Sequence, residues 1–271
     1  MSVTTDPIPS IAVNGMSLEV IDRGAGRPIL FLHPGIGLDP QSPVLEQLAR
    51  GGRVLAPFHP GFGSTPAPKS ITTVSDISYL YLDLMEAYDL RDTLVVGVGL
   101  GAWIAAEIAI KSTERISSLV LANAIGIKVG DRETRDIPDI WAITAQQFDE
   151  LAYFDPNVAK RDYKALPEGV AFAAARAREA NARYCWSPYM HNPKLKNWLH
   201  RIRIPTLCLW GTADRIVSES YARAFCAAIP GAQFETIERA GHFPHVEQPE
   251  EFARRTLAFG SPKAEAAQRT A

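Results

Sequence analysis

Two rhythms of apolar residues alternate along this chain. Short aliphatic runs predict buried strands, and longer stretches with apolar residues three and four apart predict helices. Ile11–Val13 and Met16–Ile21 flank Asn14-Gly15, a dipeptide that favours a two-residue hairpin turn. Pro28–Leu32, Arg53–Phe58, Leu94–Val98, Leu119–Ala122, Thr206–Trp210 and Gln233–Ile237 predict further strands. Helices are predicted over Pro43–Arg50, Thr73–Leu90, Leu100–Lys111, Ser218–Ala228 and from Pro249 to about Phe259. In the Thr73 stretch, Ile77, Leu80, Tyr81, Leu84 and Tyr88 share one face, with Asp76, Asp83 and Glu86 among the polar positions.

The alternation stops between about Ile125 and Arg201. Only helical patterns occur there: Pro138–Leu151, a short one from Pro156, Pro167–Arg183 and Pro193–Arg201. Each opens with proline near the first turn, where its missing N–H costs nothing. Strands alternating with helices imply βαβ units, so the expected fold class is α/β, with a mostly parallel, doubly wound sheet covered on both faces. A helical lid inserted between two strands would lie over their carboxyl ends, where open α/β sheets bind ligands. The expected division is a core of residues 11–124 and 202–260, a lid of 125–201 and a frayed tail of 261–271.

Composition adds mainly exclusions. A net charge of -2 over 271 residues gives no reason to expect nucleic acid or an anionic membrane as partner. The amino-terminal residues lack the apolar segment of a secretory signal, and no apolar run reaches the ~18 residues of a membrane span. Cys185, Cys208 and Cys226 cannot all pair and lack metal-ligand spacing, so they read as buried thiols in a reducing cytoplasm. No cofactor or metal is expected.

The candidate chemistry centres on Leu94-Val95-Val96-Gly97-Val98-Gly99-Leu100-Gly101-Ala102-Trp103. A strand runs into glycines at alternate positions, and a small-residue helix follows. This is the layout of G-x-S-x-G, the sharp turn that presents a nucleophile, with Gly99 at its centre. A phosphate-binding loop would need a longer glycine run with Lys-Ser/Thr, or G-x-G-x-x-G, usually after the first strand. Other stretches fit the first reading: His33-Pro34-Gly35-Ile36-Gly37 after the third strand, Trp210-Gly211-Thr212-Ala213-Asp214, and Gly241-His242-Phe243-Pro244-His245-Val246-Glu247-Gln248-Pro249 before the last helix.

Together these motifs resemble the α/β-hydrolase fold family over roughly residues 11–260. Within it, partly through Pro60-Gly61-Phe62-Gly63-Ser64, the chain looks closest to capped esterases and meta-cleavage-product (C–C bond) hydrolases. The order Gly99, Asp214, His242 is that family's order of nucleophile, acid and histidine. The departure is Gly99, which has no side chain to attack with, so a covalent acyl-enzyme at this position is excluded.

The resemblance implies roles for several residues. His242 is the base, and Asp214 fixes its tautomer, although Asp214 also reads as a turn or cap residue ahead of the Ser218 helix. The N–H of Leu100 and that of Gly35 or Ile36 are the expected oxyanion donors. His33 is expected to brace its loop, and His245 to sit in a loop or at the pocket edge. Ser64 and Cys185 are the alternative nucleophiles, the first otherwise a loop tie. Trp186 is the lid aromatic assigned to a pocket for a small hydrophobic substrate, among Trp141, Phe148, Tyr153, Phe154, Tyr184, Tyr189 and Trp198. Three functions stay open: an enzyme whose His242–Asp214 pair activates water or abstracts a proton, a serine hydrolase whose nucleophile has been mutated away, and a non-catalytic binder of a small ligand.

Overall fold

The computed structural model describes residues 8–131, 133–159 and 168–261. Its strands are β1 (Ser10–Val13), β2 (Met16–Arg23), β3 (Pro28–Leu32), β4 (Arg53–Pro57), β5 (Thr93–Val98), β6 (Ile116–Ala122), β7 (Thr206–Gly211) and β8 (Gln233–Ile237). They form one eight-stranded sheet in the order β1-β2-β4-β3-β5-β6-β7-β8. The pairs β1–β2 and β2–β4 are antiparallel, and every other pair is parallel. Central β5 is buried at every position, as expected for a parallel strand covered on both faces. Strand β6 starts three residues earlier than its apolar run, because Ser117 and Ser118 interrupt the pattern. The Ser117 hydroxyl there donates to the Thr93 carbonyl (3.2 Å) instead of packing.

The helices are α1 (Pro43–Ala49), α2 (Val74–Ala87), α3 (Leu100–Lys111), α4 (Ala145–Ala152), α5 (Glu168–Cys185), α6 (Leu195–Trp198), α7 (Glu219–Ala227), α8 (Pro244–Glu247) and α9 (Pro249–Gly260). Thr73 and Asp76 form a capping box that starts α2 and satisfies two of its orphan N–H groups. Helix α3 is buried from Leu100 to Ala109, and its small residues let it lie directly on the sheet.

Between β6 and β7 the described residues contain helices and turns. The helix expected over Pro138–Leu151 begins only at Ala145. Thr144 caps it, exchanging hydrogen bonds with Gln147 (3.2 and 2.9 Å), so proline does not open this helix. Ahead of it the chain is held in turns by Tyr189, whose hydroxyl accepts from Ile140 N–H (2.9 Å) and donates to the Pro138 carbonyl. The Pro193 stretch yields the single turn α6, continued as a 3₁₀ turn over Leu199–Arg201. Pro167 and the expected tail beyond Ser261 lie outside the described residues.

The insertion is tied to the core at the loop after β4. Arg176 and Arg183 of α5 donate to the carbonyls of Thr65 (3.3 Å), Pro68 (3.1 Å) and Ile71 (3.2 Å), and Tyr184 donates to that of Pro60 (3.0 Å). Among the described residues, no helix is long and apolar enough to cross a membrane.

Candidate active site

The turn between β5 and α3 carries Gly99 at φ 54°, ψ −112°, a backbone conformation that favours glycine. Its neighbours are glycines for a different reason. A Cβ at Gly97 would lie 2.4 Å from the Gly101 carbonyl oxygen, and one at Gly101 only 2.0 Å from the Leu32 carbonyl oxygen. Close approach of α3 to the sheet therefore leaves neither position room for a side chain. Gly99 is far less crowded: a Cβ there would stand 3.6 Å from Pro34 Cβ, an ordinary contact, and 3.3 Å from His242 Nε2, where the ring must give by a few tenths of an ångström. The vacant slot faces the ring nitrogen of the candidate base.

That base is firmly held. His242 Nδ1 donates to Asp214 Oδ2 at 2.9 Å, with only 7% of the His242 and 1% of the Asp214 side chain exposed. This bond assigns the Nδ1–H tautomer and leaves Nε2 as the acceptor toward Gly99. The other Asp214 oxygen, Oδ1, accepts from the Ile216 and Val217 N–H groups, both at 2.9 Å. Asp214 is thus a turn residue and the histidine's partner at once, while α7 is capped by Ser218. The His242 backbone is fixed as well, its N–H donating to the Ala152 carbonyl of α4 (2.6 Å).

Asn123 was not picked out from the sequence, yet it joins this network. It follows β6 with φ 44°, a region that asparagine enters more readily than most residues. Its amide donates to Asp214 Oδ2 (2.8 Å) and the Gly241 carbonyl (3.3 Å), and its oxygen accepts from Gly211 N–H (3.3 Å). One side chain thereby ties the ends of β6 and β7 to the histidine loop. An asparagine directly after an aliphatic strand was the available signal.

On the opposite wall, the loop after β3 turns through a Gly37 N–H to Pro34 carbonyl bond (3.0 Å). The N–H groups of Gly35 and Ile36 make no hydrogen bond to the described residues. Leu100 N–H, at the first position of α3, has no intrahelical partner and lies at the positive end of the helix dipole. These are the donors expected for an oxyanion.

His33 braces this loop. Its Nδ1 donates to the Pro34 carbonyl (2.8 Å), and its Nε2 accepts from His59 N–H (3.0 Å). His59 returns a bond from Nε2 to the His33 carbonyl (2.9 Å), and its Nδ1 accepts from the Tyr81 hydroxyl. The two rings stack at 3.7 Å. Burial pulls His33 down to about 4 and His59 well below its ordinary value, so both are neutral at pH 7.

His245 is neither in a loop nor at the pocket edge. It is buried in α8 against Phe31 and Phe252, with Nδ1 unpartnered, and burial pulls its pKa down to about 3. Neither alternative nucleophile lines the cavity. Ser64 is exposed, its backbone tied to Glu19 (2.7 Å), and burial pushes the Cys185 thiol up, away from the reactive thiolate.

A cleft of about 400 Å³, counting the open solvent at its mouth, lies between these walls. Gly35, Ile36, Leu100, Ile216, His242 and Phe243 line it from the core, and Ile125, Ile137, Ile140, Phe148, Asn181 and Met190 from the insertion. Trp186 does not line it. That ring is 61% exposed and meets Trp141 edge-on at 5.5 Å. Phe148 is the one aromatic residue from the expected lid set that reaches the cleft lining.

The chain belongs to the alpha/beta hydrolase family, whose sequence profile it matches over residues 29–255. It is 25% identical to 2-hydroxy-6-oxo-6-(2'-aminophenyl)hexa-2,4-dienoic acid hydrolase from Metapseudomonas resinovorans, across 94% of this chain and 91% of that one. It is likewise 25% identical to 2-hydroxy-6-oxo-2,4-heptadienoate hydrolase from Pseudomonas putida, across 90% and 92%. A meta-cleavage product hydrolase from Pseudomonas fluorescens superposes with a TM-score of 0.75 at 22% identity, covering 93% of this chain and 96% of that one. An esterase from Exiguobacterium antarcticum gives 0.72 at 18%, covering 93% and 98%. At such identities these two structures establish the α/β-hydrolase fold alone.

Proposed function

We propose that this protein is a hydrolase of small hydrophobic substrates, either esters and other acyl compounds or diketone-like compounds cleaved at a C–C bond. In this reading the nucleophile is water rather than a side chain. The observation that carries it is the slot at Gly99, where a Cβ would come within 3.3 Å of His242 Nε2. A water, about 30 Å³ in the liquid, suits the small space left by the absent side chain.

His242 Nε2 takes a proton from that water as its oxygen attacks the substrate carbonyl. The charge that develops on the carbonyl oxygen is met by the N–H groups of Leu100 and of Gly35 or Ile36. Collapse of the tetrahedral species returns the Nε2 proton to the leaving alcohol or carbanion and releases a carboxylic acid. Asp214 stabilises the imidazolium in between, and Asn123 keeps Asp214 in place. The same base can instead abstract a substrate proton. The C–C option draws on the names of the 25% identical relatives, and the ester option on the apolar cleft. Three free, buried cysteines support a reducing, cytoplasmic setting.

A second reading is a serine hydrolase that has lost its nucleophile, because the slot at Gly99 takes a Cβ with only a small shift of the His242 ring while the rest of the machinery stands. A pure binder would need neither Asp214 nor Asn123 in this geometry. Hydrolysis of 4-nitrophenyl butanoate tests the proposal. His242→Ala should lower kcat by about 10²–10⁴, the usual worth of a positioned general base. Turnover unaffected by that substitution would remove His242 from the reaction.

A further inference from the structure

One polar side chain in the cleft has no structural task. Asn181 of α5 lines it among aliphatic and aromatic neighbours, and its amide makes no hydrogen bond to the described residues. It lies directly against the oxyanion loop: a Cβ at Gly35 would fall 2.5 Å from Asn181 Oδ1 and 2.9 Å from Nδ2. Asn181 is partly exposed, so water reaches its amide in the open cleft, and a substrate that covers the amide without offering it a partner costs free energy. Here the partner it faces is the space beside the reacting carbonyl, between the Gly35 N–H and the cleft.

We infer that Asn181 is a specificity-determining residue, binding a second neutral oxygen of the substrate close to the carbonyl that is attacked. The inference rests on the hydrolase reading above and deepens it. With its carbonyl oxygen on the Leu100 and Gly35 or Ile36 donors, a substrate brings its α and β atoms near Gly35, and so near Asn181. An ether, hydroxyl or carbonyl oxygen there accepts from Nδ2–H. A plain alkyl chain leaves the amide buried without a partner, and the site rejects it by that cost. The preferred substrates are therefore neutral oxygen-substituted acyl compounds rather than simple fatty esters. Since Asn181 belongs to the insertion, this selection also requires α5 to be seated on the core.

The test uses an isosteric pair, 4-nitrophenyl methoxyacetate and 4-nitrophenyl butanoate, which differ by one oxygen in place of a methylene. Intrinsic reactivity cancels when the kcat/KM ratio of the two esters is compared between proteins. Asn181→Leu should cut the preference for methoxyacetate about tenfold, mainly through KM. Asn181→Asp, which keeps the shape and loses the donor, should cut it at least as far. A ratio unchanged in both variants, or a parallel fall for both esters, overturns the inference. The pair is also measured by calorimetry as non-hydrolysable ketones, with the ester oxygen replaced by methylene. If the wild-type protein hydrolyses neither ester, the catalytic reading fails. Asn181 is then judged on the ketones alone: tighter binding of the methoxy ketone, lost in Asn181→Leu, upholds it, and equal binding refutes it.

Discussion

His242 and Gly99 end two loops that meet at the mouth of the sheet, and the chain treats them differently. On the histidine side every polar atom that sets the geometry is fixed. Asp214 accepts from the His242 ring, the Asn123 amide and two backbone N–H groups, and the histidine's own N–H is pinned to α4. On the glycine side the backbone is equally well determined, but the central position holds nothing. The contrast separates two things that one motif usually combines. Gly97 and Gly101 are required by the packing of α3 on the sheet, whatever chemistry follows. Gly99 is favoured by its positive φ and by the 3.3 Å between a Cβ and His242 Nε2, a milder constraint than the 2.0–2.4 Å backbone contacts at its neighbours. The flanking glycines are therefore a signature of the fold, and only the central residue speaks to the nucleophile.

The sharpest way to break this contrast is to fill the vacant position. Gly99→Ser places a hydroxyl within reach of Nε2. It should raise ester turnover by roughly 10³-fold or more, since losing the nucleophile of a triad costs about 10⁶ in a related case. It should also confer labelling by a fluorophosphonate, which the parent lacks. The absence of both would show that the base side is not poised for triad chemistry.

The next comparison is one of stability, read from denaturant unfolding. Gly101→Ala drives a Cβ into the Leu32 carbonyl and should cost about 3 kcal/mol or more. Gly99→Ala meets positive-φ strain and a 3.3 Å contact with His242 Nε2 that a small shift of the ring relieves, and should cost about 1–2 kcal/mol. Equal losses would undo the distinction between the two kinds of glycine.

A more gradual effect, spread over several pH units, comes from the buried histidines. His33, His59 and His245 are held neutral below their ordinary value of 6.5, so the unfolded chain binds more protons than the native one. Stability is complete above about pH 6.5 and is lost as pH falls toward about 4 for His33 and about 3 for His245. Each histidine contributes a slope of about 1.4 kcal/mol per pH unit in that window. Unfolding free energies measured from pH 7 to 5 check it. A flat profile would mean that the histidine brace behind the loop after β3 is not neutral.

Much of this was legible in the sequence, for identifiable reasons. Uninterrupted aliphatic runs and turn glycines marked the strands, and motifs at successive strand ends pointed to His242, Asp214 and Gly99. What stayed hidden depended on contacts between distant segments. Asn123 looks like any loop asparagine until β6, β7 and the histidine loop come together. His245 sits three residues beyond His242 in sequence, but the turn of α8 carries its ring onto Phe31 and Phe252. Trp186 has the chemistry of a pocket residue, yet its ring is exposed and packs edge-on against Trp141. The start of α4 was set by a capping box at Thr144, which outcompeted the proline signal at Pro138.

In the proposed reaction His242 activates water without a covalent intermediate. Intact-protein mass spectrometry during the first turnovers of 4-nitrophenyl butanoate, run beside the His242→Ala protein, tests it most directly. The account predicts product release that depends on His242, with no acyl adduct on the protein at any time. An acyl adduct on any residue, or the same release from His242→Ala, would contradict it.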